Sequence, residues 1–179
     1  MVLPDQVRRR LYLWHDEETP MRYLRSKAHI TKVMFLVAVA RPRPGWDGKV
    51  GCWPLVETTL AARRSVNRPA GTPVLSSVTV TKQVYRDMLV RNVLPALQAK
   101  WIRAGDVAND RIFIQQDNAR PHIAVDDALF VQAATEGGWN IKLMCQPPQS
   151  PDLNVLDLGF FNSIQSLQQQ MECRSMEDL

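Results

Sequence analysis

Two aspartates, Asp117 and Asp157, are the residues whose type and spacing most suggest chemistry. Asp117 closes a short apolar run, Ile112-Phe113-Ile114, that turns polar at Gln115-Gln116. Asp157 follows a proline-rich stretch, Pro147 to Pro151, and falls in the first turn of an amphipathic helical pattern. Thirty-nine residues separate the two. Carboxylates presented from a strand end and a helix start can converge on one divalent cation, because hard cations such as Mg²⁺ take oxygen ligands. Each position also has a local explanation, in turn chemistry for Asp117 and the helix dipole for Asp157. Type and spacing leave both readings open.

The elements that must position these residues come from a chain of 179 residues, long enough for one domain with a real core. An apolar content of 45% and a charged content of 22% are ordinary globular values. A net charge of +4 is compatible with a polyanionic partner without demanding one. Cys52, Cys145 and Cys173 are an odd number without metal-type spacing, so they read as free thiols in a reducing compartment. The longest apolar run, Val33 to Ala40, is too short to span a bilayer, and no signal-peptide core follows Arg8-Arg9-Arg10. An intracellular protein is expected.

Along the chain, Val7 to Trp14 reads as a strand and His15 to Pro20 as a polar turn. Lys32 to Ala40 is continuously apolar and β-branched, which predicts a strand buried on both faces. Asp47-Gly48 predicts a hairpin into a strand that stops at Pro54. Residues 57–73 lose periodicity and gain Arg63, Arg64 and Arg68, so they read as an exposed basic loop, either a solvated connector or a DNA contact. Val78-Thr79-Val80 reads as a short strand. Thr81 then caps a helix with Val84, Met88, Val93, Leu97 and Trp101 near one face, which Pro95 should kink or divide. After the 104–110 loop and the strand bearing Asp117, Asp126-Asp127 predict a helix start and Gly137-Gly138 its stop, with Ala128, Val131 and Ala134 between. Trp139, Ile141 and Leu143 alternate as in a strand. The last helix should bury Leu156, Phe160, Ile164 and Leu167, and residues 171–179 read as a frayed tail. Strands followed by alternating helices and strands describe a three-layer α/β fold.

The block QQDNARPH, followed by QPPQSPDLNVLDLGFF, resembles the catalytic core of mariner-like DNA transposases. The closest branch is the eukaryotic one whose last two catalytic aspartates stand thirty-nine residues apart. KVMFLVAVARPR, DGKVGCWP and RRSVNRPAGT extend the similarity over roughly 11–168. The resemblance implies an RNase H-like mixed sheet with flanking helices. It also implies phosphodiester hydrolysis and strand transfer in the intact family, supported by two divalent ions, Mg²⁺ or Mn²⁺, about 4 Å apart. It assigns Asp117 and Asp157 as the second and third metal-binding aspartates, with Asn118 and His122 in support. DNA is the implied partner, a homodimer the implied assembly and the nucleus the implied location, with no membrane and no small-molecule substrate.

Asp152 competes with Asp157 as third carboxylate, but its Ser-Pro-Asp turn favours a structural role. The family's first catalytic aspartate lies in a strand resembling I-D-E-K-W-F, ahead of the segment matched by Leu11 to Leu13. Asp16 is the alternative for that carboxylate, disfavoured because HDEETP fits better the acidic turn after the family's second strand. The expectation is therefore a partial domain lacking its first central strand and the family's helix-turn-helix region, inactive by itself. A non-catalytic nucleic-acid-binding module built on Arg8 to Arg10 and the Arg63, Arg64 and Arg68 loop is the second reading. A small-molecule metal hydrolase is the third, disfavoured by the order of the motifs.

Overall fold

A computed structural model describes residues 16, 33–66, 68–101 and 111–168. These form a mixed α/β structure with helices and three separate two-stranded sheets. Backbone contacts divide the chain into two compact units. One comprises Met1–Met34, Leu55–Val78 and Val155–Leu179, the other Phe35–Pro54 and Thr79–Asn154.

The second unit holds the main core. Its first strand, β1 (Phe35–Val39), pairs antiparallel with β2 (Lys49–Pro54). The hairpin expected at Asp47-Gly48 forms there. Gly48 has φ +83°, and a Cβ on it would lie 2.2 Å from the Ala40 carbonyl oxygen, so only glycine closes this turn. Burial on both faces is not found for β1. Among the described residues it has one ladder partner, and only Val37 is buried along it.

Residues 82–100 form one unbroken helical rod: α1 (Lys82–Met88), a π turn (Leu89–Val93) and α2 (Leu94–Lys100). Thr81 caps it as expected, its hydroxyl accepting from the Val84 N–H at 3.3 Å. Tyr85, Leu89, Val93 and Leu97 are buried at steps of four. In a uniform α-helix each such step drifts by about 40°. The π turn, in which the Leu94 N–H bonds the Leu89 carbonyl, winds less per residue and takes up part of that drift. Pro95 comes two residues after this turn, so the division expected at the proline appears as a π turn rather than a break. At the rod's end Lys100 donates to the carbonyls of Lys49 and Val50, and the Arg43 guanidinium lies 4.0 Å from the Trp101 ring centroid.

Beyond the rod, β5 (Arg111–Gln116), α3 (Ala128–Thr135) and β6 (Asn140–Cys145) make a βαβ unit whose strands pair in parallel. Ile112, Ile141 and Leu143 face the core with Phe130 and Ala134 of α3. Ala128 and Val131 are exposed, because the face of α3 that meets the sheet is set by Phe130 and Ala134. Gly137 and Gly138, at φ +65° and +75°, end the helix as expected.

Asp127 starts α3, accepting from the Phe130 N–H at 3.2 Å and from the Arg86 guanidinium at 2.5–3.0 Å. The Arg86 hydrogen bond, more than any other cause, holds its carboxyl below the ordinary 3.8. The stabilisation is therefore fully present above about pH 4 and is lost as the pH falls through the depressed value. Replacing Asp127 with Ala should cost about 1 kcal/mol at neutral pH. Thermal unfolding should show that difference shrinking below pH 4.

In the first unit, β3 (Val56–Leu60) and β4 (Pro73–Ser77) form an antiparallel hairpin. The exposed basic loop expected at 57–73 is thereby shortened to 61–72, because its two ends are strands. The Thr-rich strand reads as polar, yet β-branched threonines suit a ladder, and Thr59 Oγ1 meets Ser76 Oγ at 2.9 Å across the pair. The strand expected at Val78 to Val80 is absent. The ladder ends at Ser77 because its partner begins at Val56, and the Val78 N–H turns to the Leu55 carbonyl. A helix with a π turn (Leu156–Phe160) and α4 (Phe161–Gln168) completes the described part of this unit. Leu156, Phe160 and Ile164 are half-buried in it, but Leu167 is 62% exposed rather than buried.

Asp16 lies exposed in a turn, as HDEETP predicts. The Val7 to Trp14 strand, the 104–110 loop, Arg8 to Arg10, Cys173 and the 171–179 tail lie outside the described residues. Cys52 and Cys145 are free thiols. No helix among the described residues is long and apolar enough to cross a membrane.

Candidate functional site

The parity of β5 explains what surrounds Asp117. Ile112, Ile114 and Gln116 share one face, so a polar side chain follows two apolar ones toward the core. A buried amide needs partners. Gln116 finds them: its Oε1 accepts from the Tyr85 hydroxyl at 3.1 Å, and its Nε2 donates to the Ile123 carbonyl at 2.7 Å. Asp117 is the next residue, where the strand ends and the chain emerges into solvent, with its side chain 46% exposed.

The Asp117 carboxylate shapes the turn after it. Its Oδ1 accepts from the Ala119 N–H at 2.8 Å and lies 2.9 Å from His122 Nδ1. That nitrogen is also 2.9 Å from the Asp117 backbone carbonyl oxygen. The imidazole of His122 stacks on Tyr85, with centroids 4.3 Å apart and planes 23° apart. Burial, then the charges of Asp117 and Cys145, push the Tyr85 phenol well above its usual range, so its hydroxyl stays a donor.

The two motif blocks are joined by hydrogen bonds. Asn118 Nδ2 donates to the Gln146 carbonyl at 2.8 Å, and the Gln146 N–H donates to the Gln116 carbonyl at 2.7 Å. Gln115 Nε2 reaches the Leu153 carbonyl at 3.0 Å, while the Gln146 side chain holds the Ser150 carbonyl. Parallel pairing of β5 with β6 brings Gln116 level with Cys145, so the QPPQSPDLN segment leaves the sheet beside QQDNARPH. Gln149, at φ +57°, and a single 3₁₀ turn over Pro151–Leu153 carry that segment onward. Asp152 is exposed in this turn.

Asp117, Asn118 and His122 therefore come together in the second unit. Asp157 lies in the first, exposed in the first turn of its helix as expected. Arg63, Arg64 and Arg68 also belong to the first unit, all exposed at the tip of the β3–β4 hairpin. Arg64 and Arg68 line an open cleft of about 410 Å³ there with Ser65, Val66 and Pro69. Sequence reading passed over Tyr85 and Gln116. The signal for Gln116 was its place on the Ile112-Ile114 face; Tyr85, in the helical pattern, had none.

A hard divalent cation suits the oxygen chemistry of Asp117, whose Oδ2 accepts no hydrogen bond from the described residues. The fit reaches one carboxylate in this unit: no group of three or more His, Cys, Asp or Glu side chains able to hold a metal ion is gathered among the described residues. No family model, curated protein or solved structure matches the chain.

Proposed function

We propose that this chain is part of a transposase-type catalytic domain of RNase H-like fold, a domain that in its intact family acts on DNA phosphodiesters with Mg²⁺ or Mn²⁺. The observation behind it is the joining of QQDNARPH to QPPQSPDLN around Asp117, at the end of a parallel strand pair. These are the two blocks on which the resemblance rests. Asp117 is the cation-binding carboxylate of its unit, and the resemblance gives Asp157 the same role. A bound cation supplies Lewis-acid stabilisation of charge at the phosphoryl oxygens. The chain's own residues do the positioning. The Ala119 N–H and His122 fix the Asp117 carboxylate, while Asn118 and Gln115 hold the following segment against it. Such positioning carries most of the catalysis in phosphoryl transfer. A nuclear location follows from the same reading.

A second reading is favoured by the three exposed arginines at the hairpin tip: a nucleic-acid-binding module without cleavage. DNA binding should weaken steeply with salt. Each arginine that contacts a phosphate should lower the slope of log K against log salt by about 0.9 when replaced by Ala. Nicking of supercoiled DNA with Mg²⁺ or Mn²⁺, run beside that titration, separates the two readings. Cation-dependent nicking supports the first, and binding without nicking the second. A chain that does neither fits the inactive partial domain expected from its sequence and contradicts the second reading.

A further inference from the structure

His122 has one ring nitrogen committed. Its Nδ1 lies 2.9 Å from the Asp117 backbone carbonyl oxygen and 2.9 Å from the carboxylate oxygen Oδ1. A carbonyl oxygen can only accept, so Nδ1 carries the proton, and in the neutral ring Nε2 carries the lone pair. A histidine held this way, through a backbone carbonyl or carboxylate at one nitrogen, offers a directed acceptor at the other.

The ring is kept there by a residue far away in sequence. Tyr85 stacks on it at 4.3 Å, and the same Tyr85 is fixed by its hydroxyl bond to Gln116. Gln116 in turn anchors the Ile123 carbonyl, next to His122 in the chain. The loop from Asp117 to Ile123 is thus tied at both ends to one buried amide, with the Tyr85 ring beneath the imidazole.

We propose that Tyr85, backed by Gln116, is a positioning residue that holds His122 as its Nδ1–H tautomer, leaving Nε2 to accept a hydrogen bond from the water or hydroxyl that attacks the phosphodiester. The identity of that donor rests on the proposed function; the tautomer does not.

The test is a two-bond ¹H–¹⁵N spectrum of the full chain, taken at a pH where imidazoles are neutral, with His122 assigned by its loss in His122→Asn. Wild-type His122 should appear as a single Nδ1–H species. Tyr85→Leu should convert it to a mixture of tautomers, and Tyr85→Phe, which keeps the ring, should preserve the single species. An Nε2–H species or a mixture in the wild type overturns the proposal, as does an unchanged Nδ1–H species in folded Tyr85→Leu. The wild-type spectrum decides even if Tyr85→Leu does not fold. In the Mn²⁺ nicking assay, Tyr85→Leu should lower kcat by roughly 10- to 100-fold at unchanged KM, and Tyr85→Phe should restore it. A wild type that does not nick, as expected of a partial domain, moves the kinetic comparison to an otherwise complete enzyme, and the tautomer is still read from the spectrum.

Discussion

In an otherwise complete enzyme, replacing Asp117 with Asn should reduce Mg²⁺- or Mn²⁺-dependent nicking of DNA by roughly a thousandfold. A cation is worth several kcal/mol of charge stabilisation in such a reaction, and about 4 kcal/mol corresponds to that factor. The change removes the charge while keeping the shape. The Asn oxygen can still accept from the Ala119 N–H, and the side chain lies half in solvent, so unfolding should move by about 1 kcal/mol or less. Asp157→Asn should produce a comparable loss if Asp157 shares the role the resemblance gives it. Asp152→Asn, in an exposed 3₁₀ turn, is the control and should leave nicking unchanged. An Asp117→Asn protein that nicks at the wild-type rate would remove Asp117 from the chemistry.

The largest stability effect should come from Phe130→Ala. Phe130 is fully buried in α3, within the core shared with Ile112, Ile141 and Leu143. Truncating such a ring costs about 3–5 kcal/mol, because the transfer free energy is lost and a cavity remains. For a chain of this size that is a fall of roughly 6–20 °C in Tm. The start of α3 should survive, since Asp127 caps it through the Phe130 N–H, a backbone group that Ala keeps. Denaturant unfolding of the two proteins gives the difference. A cost under about 1 kcal/mol would mean that the core of the second unit is not packed around this ring.

Local chemistry made several elements legible. Thr81 and Asp127 cap the helices that their side chains mark, and Gly137 and Gly138 stop α3 with positive φ. Asp117 stands where the apolar run of β5 ends, and Asp157 in the first turn of its helix. What depended on partners was less legible. The β3–β4 hairpin hides in a Thr-rich, charged stretch because a ladder is held by backbone groups that every residue carries. The π turn before Pro95 is a compromise between the proline and a buried stripe spaced by fours, and neither alone dictates it. Tyr85 reveals its place only when a strand thirty-one residues later supplies Gln116. The candidate site was thus readable as an aspartate and its neighbours in the chain. The tyrosine and glutamine that hold them were not, because tertiary packing selects them.

The most direct test of the central claim, that Asp117 binds a divalent cation, is Mn²⁺ titration of the ¹⁵N-labelled full chain. Paramagnetic broadening should appear first at the amides of Asn118 and Ala119 and in the His122 ring, and should vanish in Asp117→Asn. Broadening that spares these residues, or that persists unchanged in Asp117→Asn, would contradict it.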